Sequence, residues 1–195
     1  NITYERMTTP IRSDDYTYWS SPVSPLNLAG VEGILYNPVR LAGSIFYSYL
    51  VTPSSENWQS ETAATLMRPG LGYIIRAGGV ISTIPRSPLV ASFTGVPNNG
   101  PYSVAIAKSG ASYLLGNPYP SAIDADKFIL ANSTVIDGTL YFWTHNTPIA
   151  IGTPDPGTGV WAYSGNDYAT YTLSGGVRTF FGNFNDTNGN GIMDP

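Results

Sequence analysis

The end of the chain holds its sharpest chemical motif, a run of oxygen-bearing residues and glycines from Asp186 to Asp194. Counted from Asp186, side-chain oxygens stand at positions 1, 3, 5 and 9, and Gly191 stands at position 6. Calcium loops of the EF-hand type use this spacing: hard oxygens surround the ion, a glycine makes the sharp turn, and the next residue offers its carbonyl. We therefore predict a structural calcium site. Its predicted ligands are Asp186, Asn188, Asn190, the carbonyl of Ile192 and Asp194.

The motif is incomplete within the printed sequence. A full loop ends with a bidentate acid at position 12, which corresponds to residue 197 and lies beyond Pro195. The last ligand would have to come from a continuation of the chain or from another loop. The alternative is a Gly/Asn-rich turn that binds no metal.

The other groups that could do chemistry do not form a recognisable active site. His145 is the only histidine, and no serine stands in the Gly-x-Ser-x-Gly elbow of a hydrolase. The four glutamates offer no convincing pair of facing carboxylates for glycoside hydrolysis. Helix capping or solvated turns explain the aspartates near strands and helices. These are Asp14, Asp15, Asp124, Asp126 and Asp167. We therefore expect a protein that is not an enzyme.

The aromatic residues support a second function. Sugar rings offer an apolar face to aromatic surfaces, so exposed indoles and phenols could form a glycan platform. The alternative is that the aromatics alternate within strands and half of them fill the core. The four tryptophans are Trp19, Trp58, Trp143 and Trp161.

Composition limits the kinds of partner. The net charge is −4, only 11% of residues are charged, and Lys108 and Lys127 are the only lysines, which argues against a nucleic-acid partner. No apolar run approaches the roughly 18 residues that a membrane span needs, so we expect no membrane insertion. Few lysines, many hydroxyl and amide side chains and no cysteine are typical of an extracellular bacterial protein. The chain begins with Asn1 and shows no signal peptide, which predicts a mature segment or a piece of a longer protein.

The elements that must position these residues are mostly strands. The 195 residues include 21 glycines and 16 prolines, and short β-branched or aromatic runs recur between them. We predict an all-β fold, an antiparallel β-sandwich of jelly-roll type, over residues 1–182, followed by a calcium-type linker over 183–195. A short helix is expected at 121–132, capped by Ser121 and closed by Asn132, and a hairpin turn at Val96–Gly100. The strands are expected at Ile2–Met7, Tyr16–Ser20, an edge segment at 21–25, Gly43–Val51, around Trp58, Gly72–Ala77, Val80–Ile84, Leu89–Thr94, Tyr102–Ala107, Ser112–Leu115, Gly138–Thr144, Val160–Ser164, Tyr168–Leu173 and Val177–Phe181.

Several phrases of the sequence resemble a module of very large secreted surface proteins of Bacteroidota. These proteins leave the cell by the type IX secretion route and include gliding-adhesin-like chains. The phrases are TPIR (9–12), DYTYWSSPV (15–23), PGLGYIIRA (69–77), FTGVPNNG (93–100), LGNPYPSAIDADKF (115–128), GTLYFWTHNT (138–147) and DYATY (167–171). The resemblance implies a non-enzymatic structural or adhesive module at the cell surface, whose partners are neighbouring domains of the same long chain. It brings no catalytic residue. A carbohydrate-binding module, with surface glycans as partners, is the alternative.

Overall fold

A computed structural model describes the fold at residues 1–10, 16–31, 46–76, 88, 90–144, 150–151, 161–162 and 167–177. These residues form antiparallel sheets with one short α-helix and one 3₁₀ turn at Leu28–Gly30, which confirms the predicted all-β, sandwich-like fold. The strands are β1 Ile2–Met7, β2 Tyr16–Trp19, β3 Val23–Ser24, β4 Phe46–Val51, β5 Glu56–Glu61, β6 Tyr73–Arg76, β7 Val90–Pro97, β8 Leu140–Trp143, β9 Ala150–Ile151, β10 Trp161–Ala162, β11 Tyr168–Thr172 and β12 Gly175–Val177.

A four-stranded sheet in the order β2-β6-β4-β5 lies at the centre and buries side chains on both faces. Successive strand residues point to opposite faces, so the continuous apolar run Tyr73, Ile74 and Ile75 supplies both. Trp19, Phe46 and Ile75 lie on the first face. Tyr47 and Ile74 lie on the second. A strand that is apolar on both faces must be covered on both, and two further sheets supply the cover.

The first flanking sheet has the order β1-β7-β3 and packs on the first face. Val23, Ala91 and Phe93 are almost fully buried there. β3 pairs only with the end of β7, at the sheet edge, as the two prolines around it predict. This sheet and the first face of the central sheet form the main core.

The second flanking sheet has the order β12-β11-β8. Trp143 of β8 stacks on Tyr18 of β2, and Tyr168 of β11 also contacts Tyr18. These aromatic contacts join the second flanking sheet, called the third sheet from here on, to the second face of the central sheet. β9 and β10 pair with each other.

The helix α1 spans Ala125–Ala131, one turn shorter at its start than predicted. Its N-cap is Asp124, whose Oδ1 accepts a hydrogen bond from the Lys127 backbone N–H at 3.1 Å, so the prediction that Ser121 caps the helix is wrong. The C-terminal prediction is confirmed: Asn132 caps that end, and its Nδ2 donates to the Phe128 carbonyl at 2.8 Å. An aspartate one turn later outcompetes the serine because its carboxylate also favours the positive end of the helix dipole.

Two predicted strands, Tyr102–Ala107 and Ser112–Leu115, and the predicted hairpin turn at Val96–Gly100 are not formed. Residues 102–107 have no strand structure, and Ser112–Leu115 contributes a single bridge, from Leu115 to Leu71. β7 instead extends to Pro97 and pairs with β1 and β3. The β-branched pattern of these segments is overridden by side-chain bonds to the sheets, described below.

Some predictions fall outside the described residues. The strand at Val80–Ile84, most of the strand at Val177–Phe181 and the proposed boundary between 182 and 183 belong to this group. Within the described part of the chain, no helix is long and apolar enough to cross a membrane.

Candidate functional site

Hydrogen bonds and an ion pair fasten the segment 98–123, here called the tethered loop, to the sheets at three places. Its first residue, Asn98, is buried at 7% exposure. The Asn98 Nδ2 donates to the carbonyls of Ser21 and Pro118, each at 3.0 Å. Its Oδ1 accepts from the Ser24 hydroxyl at 2.7 Å, and its backbone N–H donates to the Pro22 carbonyl at 2.9 Å. One amide side chain therefore ties the β3 edge to both ends of the loop.

A second fastening lies where the loop returns to the central sheet. The Gly72 N–H donates to the Leu114 carbonyl and the Gly116 N–H donates to the Gly70 carbonyl, each at 3.0 Å. A Cβ on Gly116 would lie 2.2 Å from the Cβ of Ser20, so only glycine allows this approach. The loop backbone therefore lies flat against the start of β6.

A third fastening is electrostatic. Glu56 Oε1 lies 3.2 Å from Lys108 Nζ, and Oε2 accepts from the Ser112 N–H at 3.2 Å and from the Tyr49 hydroxyl at 3.4 Å. The hydrogen bond from Lys108 is the main reason that the pKa of Glu56 lies below its usual value. This glutamate fixes the tip of the loop to β5, and no sequence motif had singled it out.

The aromatic seam consists of Tyr18, Tyr49, Trp58, Trp143 and Tyr168. Its rings contact one another edge-on or tilted, at interplanar angles of 51° to 73°, except for the stacked pair of Tyr18 and Trp143 at 27°. Each side chain is half-buried, and the pair of Tyr18 and Trp143 connects the central sheet to the third sheet. Trp19 lies in the main core. The described seam aromatics therefore serve packing and present no exposed coplanar row for a sugar.

A groove opens where α1 meets the third sheet. Its volume is about 290 Å³. Apolar groups form part of its wall, and a carboxylate and three hydroxyls form the rest. The lining residues are Ile129, Asp137, Gly138, Thr139, Thr172, Leu173 and Ser174.

The predicted carboxylates have structural roles where the structure describes them. Asp124 caps α1, and Asp126 accepts from the Tyr171 hydroxyl at 2.8 Å, which binds the helix to β11. Asp167 is only 2% exposed, so the prediction of a solvated turn is wrong there. Its carbonyl accepts from the Thr144 N–H at 2.8 Å. Asp14, Asp15 and His145 lie outside the described residues.

The predicted calcium ligands, from Asp186 to Asp194, also lie outside the described residues. Within the described ranges, no three His, Cys, Asp or Glu side chains come together as a metal site. The calcium site stays a prediction from sequence.

Comparisons with curated proteins and with solved structures gave no significant match. A family of domains of unknown function, DUF8693, matches residues 1–193. Because that match covers nearly all of the printed sequence, the chain belongs to the DUF8693 family.

Proposed function

We propose that this chain is a non-enzymatic structural or adhesive module of a large extracellular surface protein, connected to neighbouring domains of the same chain. The tethered loop is the observation that carries the proposal. It is a 26-residue stretch from Asn98 to Ile123 in which polar side chains are used as internal fasteners. Such a loop stays fixed without secondary structure, as a spacer or a display surface requires.

The use of carboxylates supports the same proposal. Glu56 binds the loop tip, Asp124 caps α1 and Asp126 accepts from Tyr171. Hydrolases that use two carboxylates need them to face each other across a cleft at roughly 5–10 Å. Here the carboxylates bond to the protein's own backbone and side chains, which suits a structural role.

The surface location rests on composition and on the resemblance to secreted Bacteroidota modules. The experiment uses an organism that encodes the chain within its natural protein. Antibodies raised against residues 1–177 should label intact cells, and protease added outside the cells should remove the signal. Deleting the module while keeping the flanking parts in frame should weaken attachment to surfaces. Signal only after cell lysis would contradict the proposal.

A second candidate function, binding of a neutral sugar, is favoured by the groove beside α1. Sugar sites combine an apolar wall for the C–H face of the ring with carboxylate and hydroxyl groups for its hydroxyls. Ile129 and Leu173 supply the first, and Asp137, Thr172 and Ser174 supply the second. A groove of about 290 Å³ has room for one ring rather than a long polymer.

The sugar proposal is tested by NMR titration of the intact chain with neutral monosaccharides and their oligomers. Saturable shifts should be confined to the groove and should be lost in Asp137→Asn and Ser174→Ala. Asp126→Asn is the matched control, because it neutralises a carboxylate on α1, beside the groove, that does not line the groove. Equal loss in the control, or no saturable shift with any sugar, would contradict sugar binding.

A further inference from the structure

The tethered loop begins with an exposed Asn-Gly pair directly after its buried anchor. Asn99 and Gly100 are both exposed. Asn99 Oδ1 accepts a hydrogen bond from the Gly100 backbone N–H at 2.9 Å. The side-chain carboxamide is therefore folded back against the next peptide nitrogen.

Gly100 has no side chain that would hinder contact between its backbone nitrogen and the Asn99 carboxamide. Its φ of +83° is one that glycine adopts readily, and apart from its two chain neighbours no atom lies within 4 Å of the place where a Cβ would stand. No side chain at residue 100 stands beside the nitrogen that faces the Asn99 carboxamide.

From this geometry we propose that Asn99 is a self-modification site, at which the Gly100 nitrogen attacks the Asn99 side-chain amide. The nitrogen gives its proton to solvent base and forms a bond to Asn99 Cγ. The Cγ–Nδ2 bond breaks, and the amide nitrogen takes up a proton and leaves as ammonia. The five-membered succinimide then adds one water molecule at either carbonyl. Opening at Cγ gives aspartate, and opening at the backbone carbonyl gives isoaspartate.

The preceding residue, Asn98, can be compared directly with Asn99. Asn98 has the same side chain, but its Nδ2 is held by two carbonyls and its Oδ1 by the Ser24 hydroxyl. Rotation of this carboxamide toward the following nitrogen would break all three bonds. The residue after it, Asn99, also carries a side chain where Gly100 has none. Reaction should therefore be confined to Asn99.

The modification would act on the anchor of the loop. Isoaspartate inserts an extra methylene into the backbone between Asn98 and Gly100, and either product adds a negative charge. The Gly100 carbonyl accepts from the Tyr119 hydroxyl at 2.7 Å, so the change falls between two fastened points. The reaction would convert a fixed loop entrance into a looser one with time.

The test incubates the intact chain at mildly alkaline pH and follows tryptic peptides by mass spectrometry. The peptide Ser87–Lys108 contains Asn98 and Asn99 as its only side-chain amides. We expect it to gain the mass of an amide-to-acid change at Asn99, as two isomers that separate by chromatography. Conversion at Asn99 should be at least about tenfold faster than at Asn98, which corresponds to a barrier lower by about 1.4 kcal/mol.

Two variants and one internal standard make the outcome decisive. Asn99→Gln keeps an amide but would need a six-membered ring, and Gly100→Ala shields the nitrogen, so each should stop or strongly slow the reaction. The peptide Thr179–Pro195 contains two more Asn-Gly pairs and shows when conditions suffice. If that peptide has converted while Ser87–Lys108 keeps its mass, or if Asn98 converts as fast as Asn99, the proposal is overturned.

Discussion

The hydroxyls of Tyr18 and Tyr168 lie 2.6 Å apart although 150 residues separate them in the chain. Tyr18 belongs to β2 of the central sheet and Tyr168 to β11 of the third sheet. The Trp143 ring contacts both of them, with its centroid 5.9 Å from that of Tyr18 and 4.9 Å from that of Tyr168. This group holds the third sheet in one position on the central sheet.

Removing one hydroxyl of this pair should destabilise the fold. Tyr18→Phe keeps the ring contacts but leaves the half-buried Tyr168 hydroxyl without its partner, so we expect a loss of about 1 kcal/mol in the free energy of unfolding. Urea titration followed by tryptophan fluorescence measures it. Tyr141→Phe, at a residue 59% exposed, is the matched control and should change little. Equal effects in the two variants would contradict a stabilising role for the bond.

Alkaline pH should unfold the protein through its buried tyrosines. Burial raises the pKa of Tyr168 and Tyr73 above the ordinary value of 10.0. The folded state therefore retains these protons while the unfolded chain loses them, so stability is full below pH 10.0 and falls as pH rises above it. Phenolate absorbance should rise in two phases, the second coinciding with loss of tertiary circular dichroism. A single phase that ends before unfolding would contradict this expectation.

Asn98 should contribute more to stability than its exposed neighbour. Asn98→Ala removes three side-chain hydrogen bonds and leaves the Ser21 and Pro118 carbonyls without this donor, so we expect a loss of roughly 2–4 kcal/mol. Asn99→Ala is the matched control and should cost much less. Thermal and urea unfolding of both variants provide the comparison. Similar losses would mean that the Asn98 bonds do not anchor the loop.

The position of the helix cap can be tested with two alanine variants. Asp124→Ala should lower the melting temperature, while Ser121→Ala should leave it unchanged, because Asp124 bonds the Lys127 N–H. That bond is also the main reason that the pKa of Asp124 lies below its ordinary value of 3.8. The stabilisation should therefore persist at pH 3.8 and disappear below it, where the carboxylate becomes protonated. A larger effect of Ser121→Ala would mean that Ser121, and not Asp124, caps the helix.

Calcium should order the end of the chain without affecting the sheets. We expect millimolar calcium to slow hydrogen exchange in residues 183–195, with an affinity of about 10⁻⁴–10⁻³ M because the twelfth-position acid is missing. Asp186→Ala should abolish the effect. If exchange is unchanged by calcium, also in a longer chain that reaches past residue 197, the segment is a linker without metal.

The sequence patterns predicted strands most reliably where residues that prefer strands also pack against a core. β1 spans Ile2–Met7 as predicted, and β2, β4, β6 and β11 lie within the predicted runs. In these strands, β-branched and aromatic residues face a core on at least one side, so local preference and tertiary packing agree. Asn132 closes the helix as predicted through a local contact, since its side chain donates to the Phe128 carbonyl of the same helix.

Local sequence patterns could not predict the structure of the tethered loop. Residues 102–107 have the composition of a strand, but Asn98 and Glu56 fix the loop by bonds to residues between 20 and 77 positions away in sequence. No sequence pattern near Glu56 indicates that it bonds to Lys108 and Ser112. The groove was missed for a similar reason, because its walls come from α1 and from β11, which only the tertiary fold brings together.

The coverage of the central sheet on both faces also constrains the order of folding. Thr3 meets Thr94 across 91 residues within the first flanking sheet, and Tyr18 meets Tyr168 across 150 where the third sheet packs on the central one. The first flanking sheet therefore cannot form, and the third sheet cannot dock, from neighbouring segments alone. Contacts this distant in sequence must overcome large loop-closure entropies and slow the search for the native state. During synthesis, the aromatic residues of the second face stay uncovered until β11 has emerged. A chaperone or a narrow passage that holds the first 167 residues apart would keep the module unfolded until then, and release of Tyr168 would allow the final layer to close.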